Sequence, residues 1–154
     1  MEWFCKTFDA LTVREHYAIL SARSEVFVVE QRCVYLDPDG KDTQAQHLFA
    51  LDDGAQGRQQ VAAYMRLLPP GVSYEEASLG RVLTGSAYRG QGLGQELLNR
   101  GLLHANKLWP DAALRIGAQA HLQKLYASAG FATVGEPYDE DGIPHIDMVR
   151  SVHH

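Results

Sequence analysis

The chain is 154 residues long, 45% hydrophobic and 21% charged, the profile of one soluble globular domain with a single core. Its formal net charge of −5 argues against non-specific nucleic-acid binding, which needs a basic face, yet leaves room for a local basic pocket for a small phosphorylated ligand. No apolar run approaches the roughly 20 residues that span a bilayer, and Met1–Lys6 lacks the basic-then-apolar layout of a leader. Cys5 and Cys33 stand far apart without a CxxC partner. The expectation is a cytoplasmic protein with two free thiols, no membrane partner and no metal. His153 and His154 close the chain and receive no role.

In chain order, Glu2 to Phe8 alternates weakly, as a first strand does. Thr12-Val13-Arg14-Glu15 matches a capping box, predicting a helix to about Arg23. Glu25 to Gln31 is ambiguous between strand and helix; the reading adopted is a second short helix capped by Ser24. Asp37-Pro38-Asp39-Gly40-Lys41-Asp42 reads as a polar turn. His47–Leu51 and Gln60–Leu68 read as a hairpin joined through Asp52-Asp53-Gly54 and Gln56-Gly57, and Ser78–Thr84 as a further strand. Gly92 to Leu108 has the strongest helical periodicity, with Leu97, Leu98, Gly101, Leu102 and Ala105 on one face and Pro110 beyond its end. Leu114–Ala118 is a short buried strand. Ala120–Ala129 is an amphipathic helix closed by Gly130. Phe131–Val134 and His145–Val152 are the last strands, flanking an acidic turn, Asp139-Glu140-Asp141-Gly142. The order implies one mixed α/β domain over 1–154 around a central sheet.

Tyr88-Arg89-Gly90-Gln91-Gly92-Leu93-Gly94-Gln95 lies between the strand run and the strongest helix. Glycines there let a ligand reach the main chain. Free N–H groups and the positive dipole end of a helix suit an anion, and Arg89 adds a guanidinium suited to phosphate oxygens. A P-loop would end in Gly-Lys-Ser/Thr, but Gly94 precedes Gln95-Glu96. The dinucleotide fingerprint fails at Gln95, where its third glycine would stand, and no second βαβ half follows. The plain alternative is a glycine turn that only caps a helix. Asp37, Asp39 and Asp42 do not match an EF-hand, which leaves a solvated loop as the expectation.

Arg89-Gly90-Gln91-Gly92-Leu93-Gly94 resembles the Q/R-x-x-G-x-G/A signature of the GNAT superfamily of acetyltransferases. The likeness extends to Val82-Leu83-Thr84 upstream and to Leu125-Tyr126-Ala127-Ser128-Ala129-Gly130-Phe131 downstream, a core of about 78–131. Arg23–Gln31 and Glu140–Ile146 resemble the ElaA-like subgroup and carry the likeness over almost the whole chain.

The resemblance implies a single α/β (α+β) domain: a mixed, mostly antiparallel sheet, splayed at the cofactor site, with helices on both faces. It implies an N-acyltransferase using acetyl-CoA as co-substrate and a small-molecule or peptide amine as acceptor; self-association as a homodimer stays open. By position, Arg89, Gly90, Gln91, Gly92, Leu93 and Gly94 would hold the pyrophosphate. Val82, Leu83 and Thr84 would pair with the pantetheine arm, one N–H polarising the thioester carbonyl at a bulge near Gly80. Tyr126 would donate to the departing thiolate. Gln119 stands where many members place the asparagine that binds pantetheine amides. The strand before the loop lacks the carboxylate some members use as base, so Glu30, His145, His121, Glu75 and Glu76 remain candidates, His145 and Glu30 foremost, beside a water-relayed base. Arg81, alone among Leu79, Val82 and Leu83, is either a structural ion-pair partner or an anchor for an acidic substrate group. A non-catalytic acyl-CoA-binding protein and, less favoured, a homoserine-lactone-type synthase are the alternative functions.

Overall fold

The computed structural model describes residues 1–54 and 58–152; the expected Gln56-Gly57 connection and His153-His154 lie outside them. Among the described residues seven strands form one sheet in the order β1-β2-β3-β4-β5-β7-β6. They are β1 (Glu2–Thr7), β2 (Gln46–Asp53), β3 (Gln59–Leu68), β4 (Ala77–Thr84), β5 (Leu114–Gln119), β6 (Ala132–Glu140) and β7 (Ile143–Arg150). Every neighbouring pair is antiparallel except β4 and β5. The helices are α1 (Val13–Arg23), α2 (Leu93–Leu108) and α3 (Gln123–Ser128).

The capping box at α1 forms as its sequence dictates. Glu15 N–H donates to Thr12 Oγ1 at 3.0 Å, and Thr12 N–H to Glu15 Oε1 at 2.8 Å, satisfying two otherwise orphaned donors. Ser24 does not cap a new helix. It continues the helical path (φ −64°, ψ −43°), and the chain widens into a π-helix over Ser24–Glu30. Its five-residue bonds include Gln31 N–H to Val26 O and Cys33 N–H to Val28 O, both 3.1 Å. The wide turn seats Val26 and Phe27 with Ile19 and Ala22 on Phe49, Leu51, Val61 and Tyr64 of the sheet.

On the opposite face, α2 buries the predicted stripe, with Leu97, Leu98 and Ala105 at 2% exposure or less. Each such leucine contributes about 1.5–3 kcal/mol of burial. The expected 120–129 helix divides into a 3-10 turn (Ala120–Leu122) and the short α3. A Schellman motif ends it: Phe131 N–H donates to Tyr126 O and Gly130 N–H to Ala127 O, both at 3.1 Å. Gly130 takes the left-handed angle this requires (φ 94°), and the ring of Phe131 meets Tyr126 edge-on at 5.8 Å.

The helices thus cover both faces of the β1–β4 half, whereas the α1-side face of β5, β7 and β6 carries Arg115, Gly117, Gln119, His145 and Asp147. β6 runs much further than the expected Phe131–Val134. Asp139 and Glu140 are strand residues, and the turn is only Asp141-Gly142. An irregular stretch containing Gly135 and Pro137 separates Val134 from Tyr138 in the β6–β7 register, which blunts this edge strand and sets Tyr138 opposite His145.

Candidate active site

Two local features of β4 create the site. β4 and β5 pair only at Ala77–Leu114 and Ser78–Arg115, then separate, leaving the upper main chain of β4 unpaired on that side. On its other side the register with β3 slips: Tyr64 faces Leu83 and Arg66 faces Gly80, so Arg81 and Val82 together oppose Met65. The bulge expected near Gly80 is present, but its left-handed residue is Arg81 (φ 50°). A non-glycine residue there costs about 1–2 kcal/mol, so side-chain contacts must hold it.

Those contacts correct the expectation of a solvated 37–42 loop. Asp37 is 3% and Asp42 8% exposed, and with Asp39 they neutralise three arginines. Asp37 Oδ2 accepts from Arg23 Nε at 2.7 Å, and Asp42 Oδ1 from Arg23 Nη1 and Arg66 Nη1, both at 2.9 Å. Asp39 takes a two-pronged bond from Arg66, 2.8 Å on each oxygen. Arg81 Nη2 donates to Asp37 O at 3.1 Å and to Asp39 Oδ2 at 3.4 Å. Its Nε lies 2.9 Å from Asp37 Oδ1 but out of line for a hydrogen bond, so that contact is purely ionic. Burial opposes ionisation of Asp39 and Asp42. For Asp39, the Arg66 hydrogen bond, the Lys41 N–H and the Arg66 and Arg81 charges outweigh it; for Asp42, Arg23 and Arg66 do so. Both carboxyls sit below the usual range. Arg81 is therefore a structural ion-pair partner.

After Thr84 the glycine loop wraps to α2. Gly90 (φ 79°) and Gly92 (φ 75°) are both left-handed, and the space where a Cβ would project from either is empty to 4 Å. Gly92 is the N-cap, no side chain caps the helix, and Glu96 N–H to Gly92 O (3.2 Å) is its first bond. The N–H groups of Leu93, Gly94 and Gln95 therefore precede the helical ladder, at its positive end. Arg89 donates to Thr84 O from Nε (3.2 Å) and Nη2 (3.1 Å) and pairs with Glu30 Oε1 at 2.6 Å. Glu30 thus stands at the anion loop.

The gap between β4 and β5 opens into a cleft of about 340 Å³. Val82, Gln119, Tyr126, Tyr138, Glu140 and His145 line it. Gln119 exchanges two hydrogen bonds with Gln31, each 3.3 Å, so a residue just past the π-helix spans the gap; sequence reasoning had no signal for this partner. Tyr126 is 4% exposed, and its hydroxyl has no hydrogen-bond partner among the described residues. Burial pushes its pKa up to about 12, so it holds its proton at neutral pH. His145 Nδ1 lies 2.7 Å from Ile143 O. A carbonyl can only accept, so Nδ1 donates to it, and Nε2 lies 3.5 Å from Glu140 Oε2. The imidazole stacks on Tyr138 at 5.8 Å. Behind it, Asp147 accepts from Tyr138 OH at 2.6 Å and Arg115 Nη2 at 2.8 Å. Of the other base candidates, His121 is exposed, Glu76 lies 3.9 Å from Arg115, and Glu75 and Glu76 border a separate shallow depression. Among the described residues no three His, Cys, Asp or Glu side chains converge as a metal set, and no helix is long and apolar enough to cross a membrane.

The acetyltransferase (GNAT) domain profile matches residues 42–152. Over 152 residues the chain is 44% identical to UPF0039 protein sll0451 of Synechocystis sp., covering 99% of this chain and 96% of that one. It is 41% identical to protein ElaA of Escherichia coli, covering 99% and 97%. The ElaA crystal structure matches with a TM-score of 0.87 across 98% of this chain and all of that one. An acyl-CoA N-acyltransferase from Pseudomonas aeruginosa matches at TM-score 0.89 and 45% identity, with the same coverage. With the splayed β4–β5 pair, the bulge and the glycine loop in place, the chain belongs to the GNAT family of acyl-CoA N-acyltransferases, within its ElaA-like group.

Proposed function

We propose that this protein transfers the acetyl group of acetyl-CoA to a primary amine by direct attack within a ternary complex. The observation that carries this is the continuity of three features: an uncapped helix start with empty space over Gly90 and Gly92, an unpaired β4 edge, and a cleft holding an unpartnered phenol and an imidazole. In this reading the N–H groups from Gly90 to Gly94 and the Arg89 guanidinium bind the diphosphate. Val82, Leu83 and Thr84 offer main-chain partners to the pantetheine arm, and Gln119 its carboxamide, once Gln31 releases it. Main-chain N–H at the bulge polarises the thioester carbonyl.

His145 is the base of this proposal. Its Nδ1 proton is fixed on Ile143 O, so Nε2 takes the proton the attacking amine loses, and Glu140 stabilises the imidazolium formed. The amine nitrogen bonds to the thioester carbon, the carbon–sulfur bond breaks, and Tyr126 supplies a proton to the thiolate. Glu30 serves as counter-ion to Arg89 rather than as base.

Calorimetry with acetyl-CoA, followed by thiol release over a panel of primary amines, tests the reading. Gly92→Asp places a carboxylate at the diphosphate and should weaken binding at least tenfold. Equal binding by both proteins contradicts the assigned loop, and tight binding without thiol release from any amine favours an acyl-CoA-binding protein over an enzyme.

A further inference from the structure

We infer that Arg81 is a positioning residue, whose guanidinium, clamped by Asp37 and Asp39, holds the β4 bulge so that its main-chain N–H faces the thioester carbonyl. The inference rests on the proposed acetyl-CoA site and adds what keeps that site in shape.

The backbone provides the first argument. Glycine adopts a left-handed angle freely, and Gly80 is adjacent, yet the chain places the left-handed angle on Arg81 and leaves Gly80 out of that region. A strained angle on a non-glycine residue persists only where the surroundings over-determine it. Arg81 is over-determined by Nη2 to Asp37 O (3.1 Å), Nη2 to Asp39 Oδ2 (3.4 Å) and Nε beside Asp37 Oδ1 (2.9 Å). Its guanidinium also lies 5.6 Å from the Tyr35 ring centroid, and Tyr35 OH donates to Asp37 Oδ1 at 2.9 Å.

The anchors are themselves fixed. Asp37 is held by Arg23, 1% exposed at the end of α1, and Asp39 by Arg66 on β3, the strand opposite the bulge. Arg81 thereby ties the bulge to α1, to β3 and to the 37–42 loop. Arg81 and Val82 also line the cleft that Tyr126 and His145 share, so a shift of this main chain reaches the reacting carbonyl. An error of about 1 Å in such a donor can lower a rate on the order of 10²-fold.

The test reads the carbonyl directly, without knowledge of the acceptor. Acetyl-CoA carrying ¹³C at its carbonyl is bound to wild type, Arg81→Gly, Arg81→Lys and Arg81→Met, and the C=O stretch is recorded by difference infrared spectroscopy. Calorimetry with CoA lacking the acetyl group and a melting curve accompany each variant. Arg81→Gly is the decisive variant: it accommodates the left-handed angle without steric strain and removes the clamp. The expected result is a stretch lowered on binding to wild type and returned toward its solution value in Arg81→Gly. CoA affinity should stay within about threefold, with turnover on any accepted amine down about 10- to 100-fold. Arg81→Lys should recover part of the shift. A stretch that remains fully lowered in folded Arg81→Gly overturns the inference and leaves the acetyl-CoA site intact. A wild-type protein that binds acetyl-CoA with an unshifted carbonyl overturns the site reading and this inference together.

Discussion

Replacing Asp37 by alanine is the sharpest probe of the buried charge network. Asp37 is 3% exposed and serves two guanidinia: Arg23, 1% exposed, at 2.7 Å and Arg81 at 2.9 Å. Its loss leaves three arginines facing two carboxylates, with Arg23 and Arg66 buried and Arg81 and Asp39 partly exposed. Among carboxylates Arg23 keeps only Asp42, which it shares with Arg66, and Arg81 keeps only Asp39 at 3.4 Å, while both retain the Asp37 main-chain carbonyl. Removing one partner of a buried ion pair costs about 3–5 kcal/mol, because the remaining charge is left without compensation. At roughly 2–4 °C per kcal/mol for a chain of this size, melting should fall by about 6–20 °C. Urea unfolding followed by far-UV circular dichroism, at 0.1 and 1 M NaCl, measures the change. A buried pair is screened little, so the loss should persist at high salt. A loss under about 1 kcal/mol, or one that disappears in 1 M NaCl, would show that the network behaves as a surface cluster.

Further predictions concern acid stability and the site. Asp39 and Asp42 have folded-state pKa values below their unfolded ones, so their stabilisation is complete above about pH 4–5 and is lost as pH falls through the folded values. Unfolding midpoints should therefore drop between pH 5 and 2 (about the carboxylate range) and drop less in Asp39→Asn. Tyr126→Phe should lower kcat about 10²-fold or more with acetyl-CoA affinity unchanged, since the hydroxyl meets the leaving thiolate rather than the resting thioester; unchanged turnover would reduce Tyr126 to a core residue under Phe131. Glu30→Gln frees Arg89 from an exposed ion pair worth about 0–1 kcal/mol, so CoA should bind tighter at low salt, by up to about fivefold. Acetyl-pantetheine, which lacks the diphosphate, should show no change; an equal gain for both ligands would place Glu30's effect elsewhere.

Much of the architecture was legible because it rests on local signals. The α2 stripe, the Thr12–Glu15 box and the glycine run each specify their element within a few residues, and the left-handed turn at Gly90 and Gly92 that leads into α2 followed from the backbone freedom of glycine. The charge network did not follow, because its partners lie 14 to 44 residues apart and become neighbours only when β3 and β4 pair beneath the loop. One signal was present: Arg66 and Arg81 are lone charges in otherwise apolar strand runs, and the Asp37–Asp42 turn holds three carboxylates that could match them. The π-helix escaped because the Val26–Val29 core of Glu25–Gln31 is an unbroken apolar run without a helical or strand period, and its Val26 and Phe27 pack into a core assembled from distant strands. The length of β6 escaped because an edge strand needs no buried face, so Asp139 and Glu140 read as a turn.

The account stands most directly on a crystal structure of the protein with acetyl-CoA bound. It predicts the diphosphate on the N–H groups of Gly90 to Gly94, the pantetheine arm between β4 and β5 with Gln31 displaced from Gln119, and the thioester sulfur within hydrogen-bond reach of Tyr126 OH. A diphosphate bound away from that loop, or a pantetheine arm that leaves the β4–β5 gap empty, would contradict it.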